Sequence, residues 1–133
     1  MTERVYDPVP ADVELLAKDV VDAAYRVHRE LGPGLLESVY EACLDHELRK
    51  RGCKVETQVP VPVVYDGLRL DAGLRLDLLV GGRLIVEVKS VERMNPVYDA
   101  QLLTYLKLTG LRLGLLINFN VGVIKKGINR VVC

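Results

Sequence analysis

The apolar positions of this chain recur at helical spacing in its first part and at strand spacing in much of the remainder. The first part predicts one helix over residues 12–31, with Asp12 as its N-cap, and a second helix over residues 36–51. Gly32-Pro33-Gly34 separates the two, because glycine and proline end a helix sharply. The expected apolar faces consist of Leu16, Val20, Ala24, Val27 and Leu31 in the first helix and Leu36, Val39, Tyr40, Cys43, Leu44 and Leu48 in the second.

Beyond residue 53 the apolar positions alternate with a period of two, which is typical of strands. Pro60 and Pro62 confine the first strand to an edge of its sheet, since proline cannot donate a ladder hydrogen bond. Asn95-Pro96 marks the start of a third helix, as N-cap and first helical residue. The predicted segments are strands over residues 54–65, 68–80, 84–89 and 111–118, a helix over 95–109, and closing strands or a hairpin over 122–126 and 128–132.

The order of these segments is α-α-β-β-β-α-β-β, which predicts an α/β fold with helices packed on a mixed β-sheet. The length of 133 residues is typical of one domain, so we expect a single domain over residues 1–133. Prolines punctuate the first eleven residues, and we expect residues 1–11 to form a loose N-terminal arm.

The central hairpin carries charged residues within strands that otherwise have the composition of buried strands. By alternation, Asp77 lies opposite the face shared by its neighbours in the first strand, and Glu87 and Lys89 share a face of the second. That shared face of the first strand consists of Leu74, Leu76, Leu78 and Val80. Buried charges require a partner or a metal. One interpretation is an ion-paired hairpin in which Lys89 neutralises an acid, and the other is a Mg²⁺ site built on the two carboxylates.

The length of the hairpin loop distinguishes these interpretations. A two-residue turn at Gly81-Gly82 pairs Asp77 with Val86 and sends the two acids to opposite faces. A three-residue loop, or one bulge, places Asp77 directly across from Glu87. The metal hypothesis therefore requires the three-residue loop or the bulge.

Composition narrows the class of protein. Eighteen basic and eighteen acidic residues cancel, so the net charge gives no support for general coating of DNA. Three cysteines without a repeating spacing argue against a disulfide framework or a zinc site. No apolar run approaches the roughly 20 residues of a membrane span, and no signal peptide is evident. We therefore expect a soluble, cytoplasmic protein with no membrane partner.

Four further side chains are candidates for the site, each with an ordinary structural explanation. Glu37 falls within the apolar arc of the second helix, either as a first-turn acid that complements the helix dipole or as a carboxylate aimed at the site. His28 lies at the edge of the first helical stripe, where a packing role is the simpler interpretation. Gln101 and Tyr105 lie on one face of the third helix, as an amphipathic edge or as donors to the site.

The segments also carry a family motif. Gly34-Leu35-Leu36-Glu37-Ser38-Val39-Tyr40 matches G-x-x-E-x-x-Y within the string HRELGPGLLESVYEACLDHEL. RLDLLV, IVEVKS, AQLLTYLKLTG and GLLINFN follow in order. The chain resembles the small GxxExxY proteins of the PD-(D/E)XK nuclease superfamily from its first helix to about Asn120. The resemblance implies a restriction-endonuclease-like core.

The resemblance also implies roles for individual residues. Asp77, Glu87 and the backbone carbonyl of Val88 would hold Mg²⁺ or Mn²⁺, and Glu37 would reach the metal directly or through water. Lys89 would be the lysine of the E-x-K motif, which orients the attacking water and offsets charge on the phosphate.

Other matched positions have supporting roles. Gln101 and Tyr105 resemble a Q-x-x-x-Y pair that helps to hold the phosphate and the lysine. Tyr40 closes the naming motif without an assigned role, and Leu76 stands where the superfamily name has proline.

The implied function is a metal-dependent nuclease that hydrolyses phosphodiester bonds, with DNA favoured, in DNA repair, recombination or defence. So small a domain is expected to dimerise in order to grip a duplex. The alternative is a catalytically silent nuclease fold that binds nucleic acid or a protein partner. A second alternative is an interaction domain whose acids and lysine form a buried ion network.

Overall fold

The computed structural model describes residues 7–133, apart from the side chain of Ala72. The elements are α1 (Ala11–Leu31), α2 (Glu37–Lys50), β1 (Val55–Tyr65), β2 (Leu68–Val80), β3 (Leu84–Lys89), α3 (Pro96–Thr109), β4 (Leu113–Asn118), a 3₁₀ turn (Ile124–Gly127) and β5 (Ile128–Val132). The predicted order of helices and strands is confirmed.

The five strands form one mixed sheet in the order β1-β2-β3-β4-β5. Neighbouring strands are antiparallel except β3 and β4, which are parallel. Helix α3 connects this parallel pair, because parallel neighbours require a crossover from one end of the sheet to the other. The carboxyl end of β3 therefore lies beside the carboxyl end of β4, with Lys89 opposite Asn118.

Helices cover both faces of the sheet. Helices α1 and α2 pack on one face through side chains such as Val20, Leu44 and Leu48, and α3 packs on the other through Leu102 and Leu106. Buried strands read as continuous apolar runs when both faces are covered, as LGLLIN of β4 does. The α/β class predicted from the sequence is confirmed.

The β1–β2 ribbon exchanges its two faces near its middle. Leu78 packs in the core beneath α1 and α2, whereas Leu76 packs in the core beneath α3. In β1, Val55 belongs to the first core and Val59 to the second. Gln58, between them, has a φ of 51°, in the left-handed region that interrupts the pleat. The prediction that Leu74, Leu76, Leu78 and Val80 share one face is therefore wrong.

The start of α1 and part of the predicted apolar faces of the helices differ from the prediction. Helix α1 begins at Ala11 with Pro10 at its N-cap, so Asp12 lies in the first turn, where it pairs with Arg83. Leu31, Leu36 and Val39, which the prediction placed in the apolar faces, are instead exposed, with 39%, 72% and 37% of their surfaces accessible. Leu31 and Leu36 flank the connection between α1 and α2.

The ends of the chain also differ from expectation. Residues 1–6 of the predicted arm lie outside the described residues, but Val9 packs against the core and Arg112 donates to the carbonyl of Asp7. Residues 122–126 form part of a loop and 3₁₀ turn instead of a closing strand. None of the helices between residues 7 and 133 has the length and apolar composition needed to cross a membrane.

A buried amide fastens the chain where it leaves β3. Asn118 is 3% exposed at the end of β4. Its Oδ1 accepts hydrogen bonds from the backbone N–H groups of Val91 and Asn120, at 3.1 Å each. Its Nδ2 donates to the carbonyl of Val91 at 2.9 Å. Asn118 therefore fixes the path of the chain directly after Lys89.

We expect Asn118→Ala to lower the free energy of unfolding by about 2–4 kcal/mol, because it removes three hydrogen bonds and leaves buried backbone groups without partners. Urea unfolding followed by circular dichroism measures this change. Asn129→Ala, at an exposed position of β5, is the matched control and should change stability by less than about 0.5 kcal/mol. Equal losses in the two variants would contradict the anchoring role.

Candidate functional site

The hairpin of β2 and β3 closes with the three-residue loop Gly81–Arg83. Val80 pairs with Leu84, and the N–H of Arg83 donates to the carbonyl of Val80 at 3.1 Å. Gly81 and Gly82 both have positive φ, 61° and 68°, which glycine adopts without steric cost. This is the register that the metal hypothesis requires.

Asp77 and Glu87 face each other where the two strands separate. The last paired residues are Leu78 and Val86. Beyond them the Glu87 Oε2 atom accepts from the backbone N–H of Asp77 at 2.8 Å, and the Asp77 Oδ2 atom accepts from the backbone N–H of Val88 at 2.9 Å. The two carboxylates thus accept hydrogen bonds where the next backbone-to-backbone hydrogen bonds between β2 and β3 would otherwise form. The N–H and C=O of one strand residue point to the same side, so the carbonyl of Val88 also faces this gap.

The surroundings of the carboxylate pair raise the pKa of Glu87. Glu87 is 5% exposed. Burial, followed by the charge of Asp77, raises the pKa of Glu87 to about 8, because both disfavour a second negative charge. No ion pair within residues 7–133 involves Asp77 or Glu87. The charge of Lys89 opposes this rise in the pKa of Glu87, but by less than burial and the charge of Asp77 cause it.

Lys89 lies against an aromatic ring instead of an acid. Its Nζ atom is 4.7 Å from the centroid of the Tyr98 ring, a cation–π contact. Tyr98 is in the first turn of α3, whose start is fixed by Pro96 and by the Asn95 Oδ1 atom, which accepts from the N–H of Val97 at 3.0 Å. The ion-paired hairpin considered from the sequence is not present. Sequence analysis missed Tyr98, although it lies three and seven residues before Gln101 and Tyr105, on one helical face.

Tyr105 and Gln101, the two candidate donors of α3, have different environments. Burial, followed by the charges of Glu87 and Asp77, raises the pKa of the half-buried Tyr105 hydroxyl. Gln101 is exposed, one turn earlier on the same helix. The structure thus brings Tyr105 into the electric field of the pair and leaves Gln101 exposed to solvent.

The acid of α2 that interacts with the pair is Glu41. Its carboxylate oxygens accept from Nε2 of Gln58 at 2.7 and 3.0 Å, which holds it at the point where the ribbon exchanges faces. Burial first, and the charge of Asp77 among lesser causes, raise the pKa of Glu41. Glu37 is exposed in the first turn of α2, whereas the helical pattern placed it within the apolar arc of that helix. Sequence analysis missed Glu41, although it lies one turn after Glu37.

Tyr40 fastens the turn between α1 and α2. It is fully buried and its ring stacks on Phe119, with centroids 4.6 Å apart and planes 7° apart. Its hydroxyl donates to the carbonyl of Gly32 at 2.6 Å and accepts from the N–H of Leu35 at 3.1 Å. Ser90 then donates to the carbonyl of Leu35 at 2.6 Å. Through these contacts the motif tyrosine supports the strand end that carries Lys89.

His28 supports another loop. Its Nε2 atom lies 2.7 Å from the carbonyl of Val121, which makes this nitrogen the donor. The ring therefore holds the segment after β4, and it makes no hydrogen bond to the carboxylate pair.

The donors at the hairpin suit a hard divalent cation. Asp77 and Glu87 offer oxygen ligands to one gap, which the Val88 carbonyl also faces by strand geometry, and ionisation of the buried Glu87 beside the partly exposed Asp77 requires a compensating charge. Among the described residues, no group of three or more acids, histidines or cysteines is arranged as a metal site. Mg²⁺ suits this small set, because it commonly binds one or two carboxylates and retains several waters.

Comparison with known proteins identifies one family. A family model described as the PD-(D/E)XK nuclease superfamily matches residues 14–131. The match, together with the mixed sheet between helices, confirms the predicted restriction-endonuclease-like core. No curated protein and no solved structure matches the chain.

We expect the stability of the metal-free protein to fall as pH rises from about 5 to 8. The folded state holds a proton on Glu87 up to a pKa of about 8, whereas the unfolded state releases it near 4.5, so the folded state binds more protons in this window. The free energy of unfolding should fall by up to about 1.4 kcal/mol per pH unit from this group.

Urea unfolding in EDTA at several pH values measures this slope. Glu87→Gln should remove this contribution, and the exposed control Glu92→Gln should retain it. Parallel stability curves for the wild type and Glu87→Gln would contradict the assignment.

Proposed function

The chain belongs to the PD-(D/E)XK nuclease superfamily, and from this membership and its site we propose that it is a divalent-metal-dependent nuclease. It hydrolyses phosphodiester bonds in nucleic acid, with DNA as the favoured substrate. The observation that carries the proposal is the opposition of Asp77 and Glu87 at the end of β3, with Lys89 two residues further along the strand. We also propose that the chain is a GxxExxY member, on the motif from Gly34 to Tyr40.

Asp77, Glu87 and the Val88 carbonyl would hold Mg²⁺ or Mn²⁺. A bound ion supplies Lewis-acid stabilisation of the phosphate and a more acidic bound water. We propose Glu41 as the supporting carboxylate of α2 in place of Glu37, because Gln58 holds Glu41 within the field of Asp77. Glu41 would act through water, as an acceptor that orients it.

Lys89 provides the positive charge for the reacting phosphate. Its ammonium is held over the Tyr98 ring and forms no ion pair within the described residues, so its donors are available to a phosphate oxygen or to the attacking water. Charge that develops on the phosphate is stabilised by a fixed ammonium without reorganisation. Tyr105 and Gln101 would add neutral donors from α3.

This combination suits phosphate esters better than acyl or glycosyl substrates. Hard oxygen ligands and a point positive charge complement a phosphate, whose negative charge lies on several oxygens. No residue of the site is an activated serine or cysteine nucleophile.

We expect cleavage of labelled single-stranded, double-stranded or branched DNA, or of RNA, in the presence of Mg²⁺ or Mn²⁺. Glu87→Gln and Lys89→Ala should each lower the rate by about 100-fold or more, since each removes charge stabilisation from the transition state. Product formation on denaturing gels measures this effect.

Lys107→Ala is the matched control, because Lys107 is an exposed lysine of α3. Cleavage that survives in both site variants would refute the assignment. Absence of cutting by folded, metal-supplied wild type would favour the silent binding module.

We expect Tyr98→Leu to lower kcat by about 2- to 30-fold, the range that corresponds to a cation–π contact of roughly 0.5–2 kcal/mol. Tyr98→Phe should restore most of the activity, because the contact requires the ring and not the hydroxyl. Steady-state kinetics should show KM within about twofold of the wild type if Tyr98 positions Lys89 without binding substrate.

Tyr25→Leu, at an exposed tyrosine of α1, is the control for loss of a surface ring. Equal activities of the Leu and Phe variants would contradict a role for the ring.

A further inference from the structure

A cleft adjoins the carboxylate pair at the point where the β1–β2 ribbon exchanges faces. It has a volume of about 440 Å³ and is lined by Gln58, Pro60, Leu74, Arg75 and Asp77. Ligand sites in proteins have volumes of roughly 300–1,000 Å³, so the cleft has room for one nucleotide unit but not for a duplex. Because Asp77 belongs to both, the cleft and the carboxylate pair form one continuous surface.

Arg75 is the cationic group of this cleft. It is exposed, and within the described residues it forms no ion pair and no side-chain hydrogen bond. Arg69, on the same strand, is paired with Asp71 at 2.7 Å. The guanidinium of Arg75 therefore retains all its donors for a ligand, whereas that of Arg69 is partly used.

The spacing between Arg75 and Asp77 suits consecutive phosphates, one at the guanidinium and one at the cation that Asp77 would hold. Two residues of a strand span about 6.6 Å, at 3.3 Å per residue, which is comparable with the separation of adjacent phosphates along one nucleic-acid strand. A guanidinium binds phosphate through two parallel hydrogen bonds. Pro60 and Leu74 add an apolar wall on which a sugar can pack, and neither presents a side-chain polar group to read a base.

We propose that this cleft binds the sugar-phosphate unit next to the phosphate at the carboxylate pair, with Arg75 as the phosphate ligand. The inference deepens the proposed nuclease function and rests on it for the identity of the ligand. The cleft would then contact the sugar-phosphate backbone of one nucleic-acid strand and would not select a base sequence.

The test is binding of a fluorescein-labelled single-stranded DNA oligonucleotide, followed by anisotropy in EDTA over a range of salt concentrations. Arg75→Gln should weaken binding roughly tenfold, as expected for loss of a charge-assisted bidentate contact. The slope of log K against log salt should fall in magnitude by about 0.7, the contribution of one phosphate contact on a single strand. Arg75→Lys should retain that slope while binding more weakly than wild type.

Arg69→Gln is the matched control on the same strand and should leave both affinity and slope nearly unchanged. Urea midpoints equal to that of the wild type show that the variants are folded. An Arg75→Gln protein with wild-type affinity and slope would overturn the proposal, as would a wild type that binds no oligonucleotide either in EDTA or with Ca²⁺ in its place.

Cleavage, measured separately with Mg²⁺, distinguishes this inference from the proposed function. A wild type that binds with an Arg75-dependent slope but cuts no substrate would support the cleft and refute the nuclease. A wild type that cuts, with Arg75→Gln unchanged in binding and slope, would overturn the cleft alone.

Discussion

The site depends on two carboxylates that replace backbone pairing where β2 and β3 separate. Asp77 and Glu87 each accept a hydrogen bond from a backbone N–H of the opposite strand. The strands can therefore open without leaving these buried donors unsatisfied, which would cost free energy. The opening directs both acids into one gap, where ionisation of the buried Glu87 sets a second negative charge beside the partly exposed Asp77. A bound cation would offset that second charge.

The surrounding fold holds the opening in a fixed shape. On one side Asn118 binds both backbone groups of Val91, and Ser90 reaches the turn before α2. Tyr40 ties that same turn to the core through Gly32 and Leu35. The tyrosine of the motif thus contributes structure to the end of β3.

Lys89 and Arg75 show how a chain with no net charge presents unpaired positive charge beside two acids. Neither is paired with an acid within residues 7–133, although Asp77 and Glu87 lie close by along the strands. The Tyr98 ring holds Lys89 by attraction to its face, which leaves the ammonium donors available. Local arrangement, more than total charge, therefore decides what this surface can bind.

The sequence by itself determined the order of the helices and strands, the α/β class and the two possible registers of the central hairpin. These features depend on periodicity and on turn residues, which act between neighbours along the chain. The motif segments also identify Asp77, Glu87 and Lys89 as candidate site residues without knowledge of their contacts. Only the structure decided which register the hairpin takes, because both loops are compatible with Gly81-Gly82.

The tertiary structure alone decided the exchange of faces in the β1–β2 ribbon and the selection of side chains around the pair. A positive φ at Gln58, a residue other than glycine, has no reliable signal in the sequence, and strict alternation predicted the wrong face for part of β2. The helical wheel likewise gives the direction of Glu37 and Glu41 about the axis of α2, but not how far each lies along the sheet. Tyr98 and Asn118 meet the end of β3 from distant segments, and contacts of that kind follow from packing rather than from local pattern.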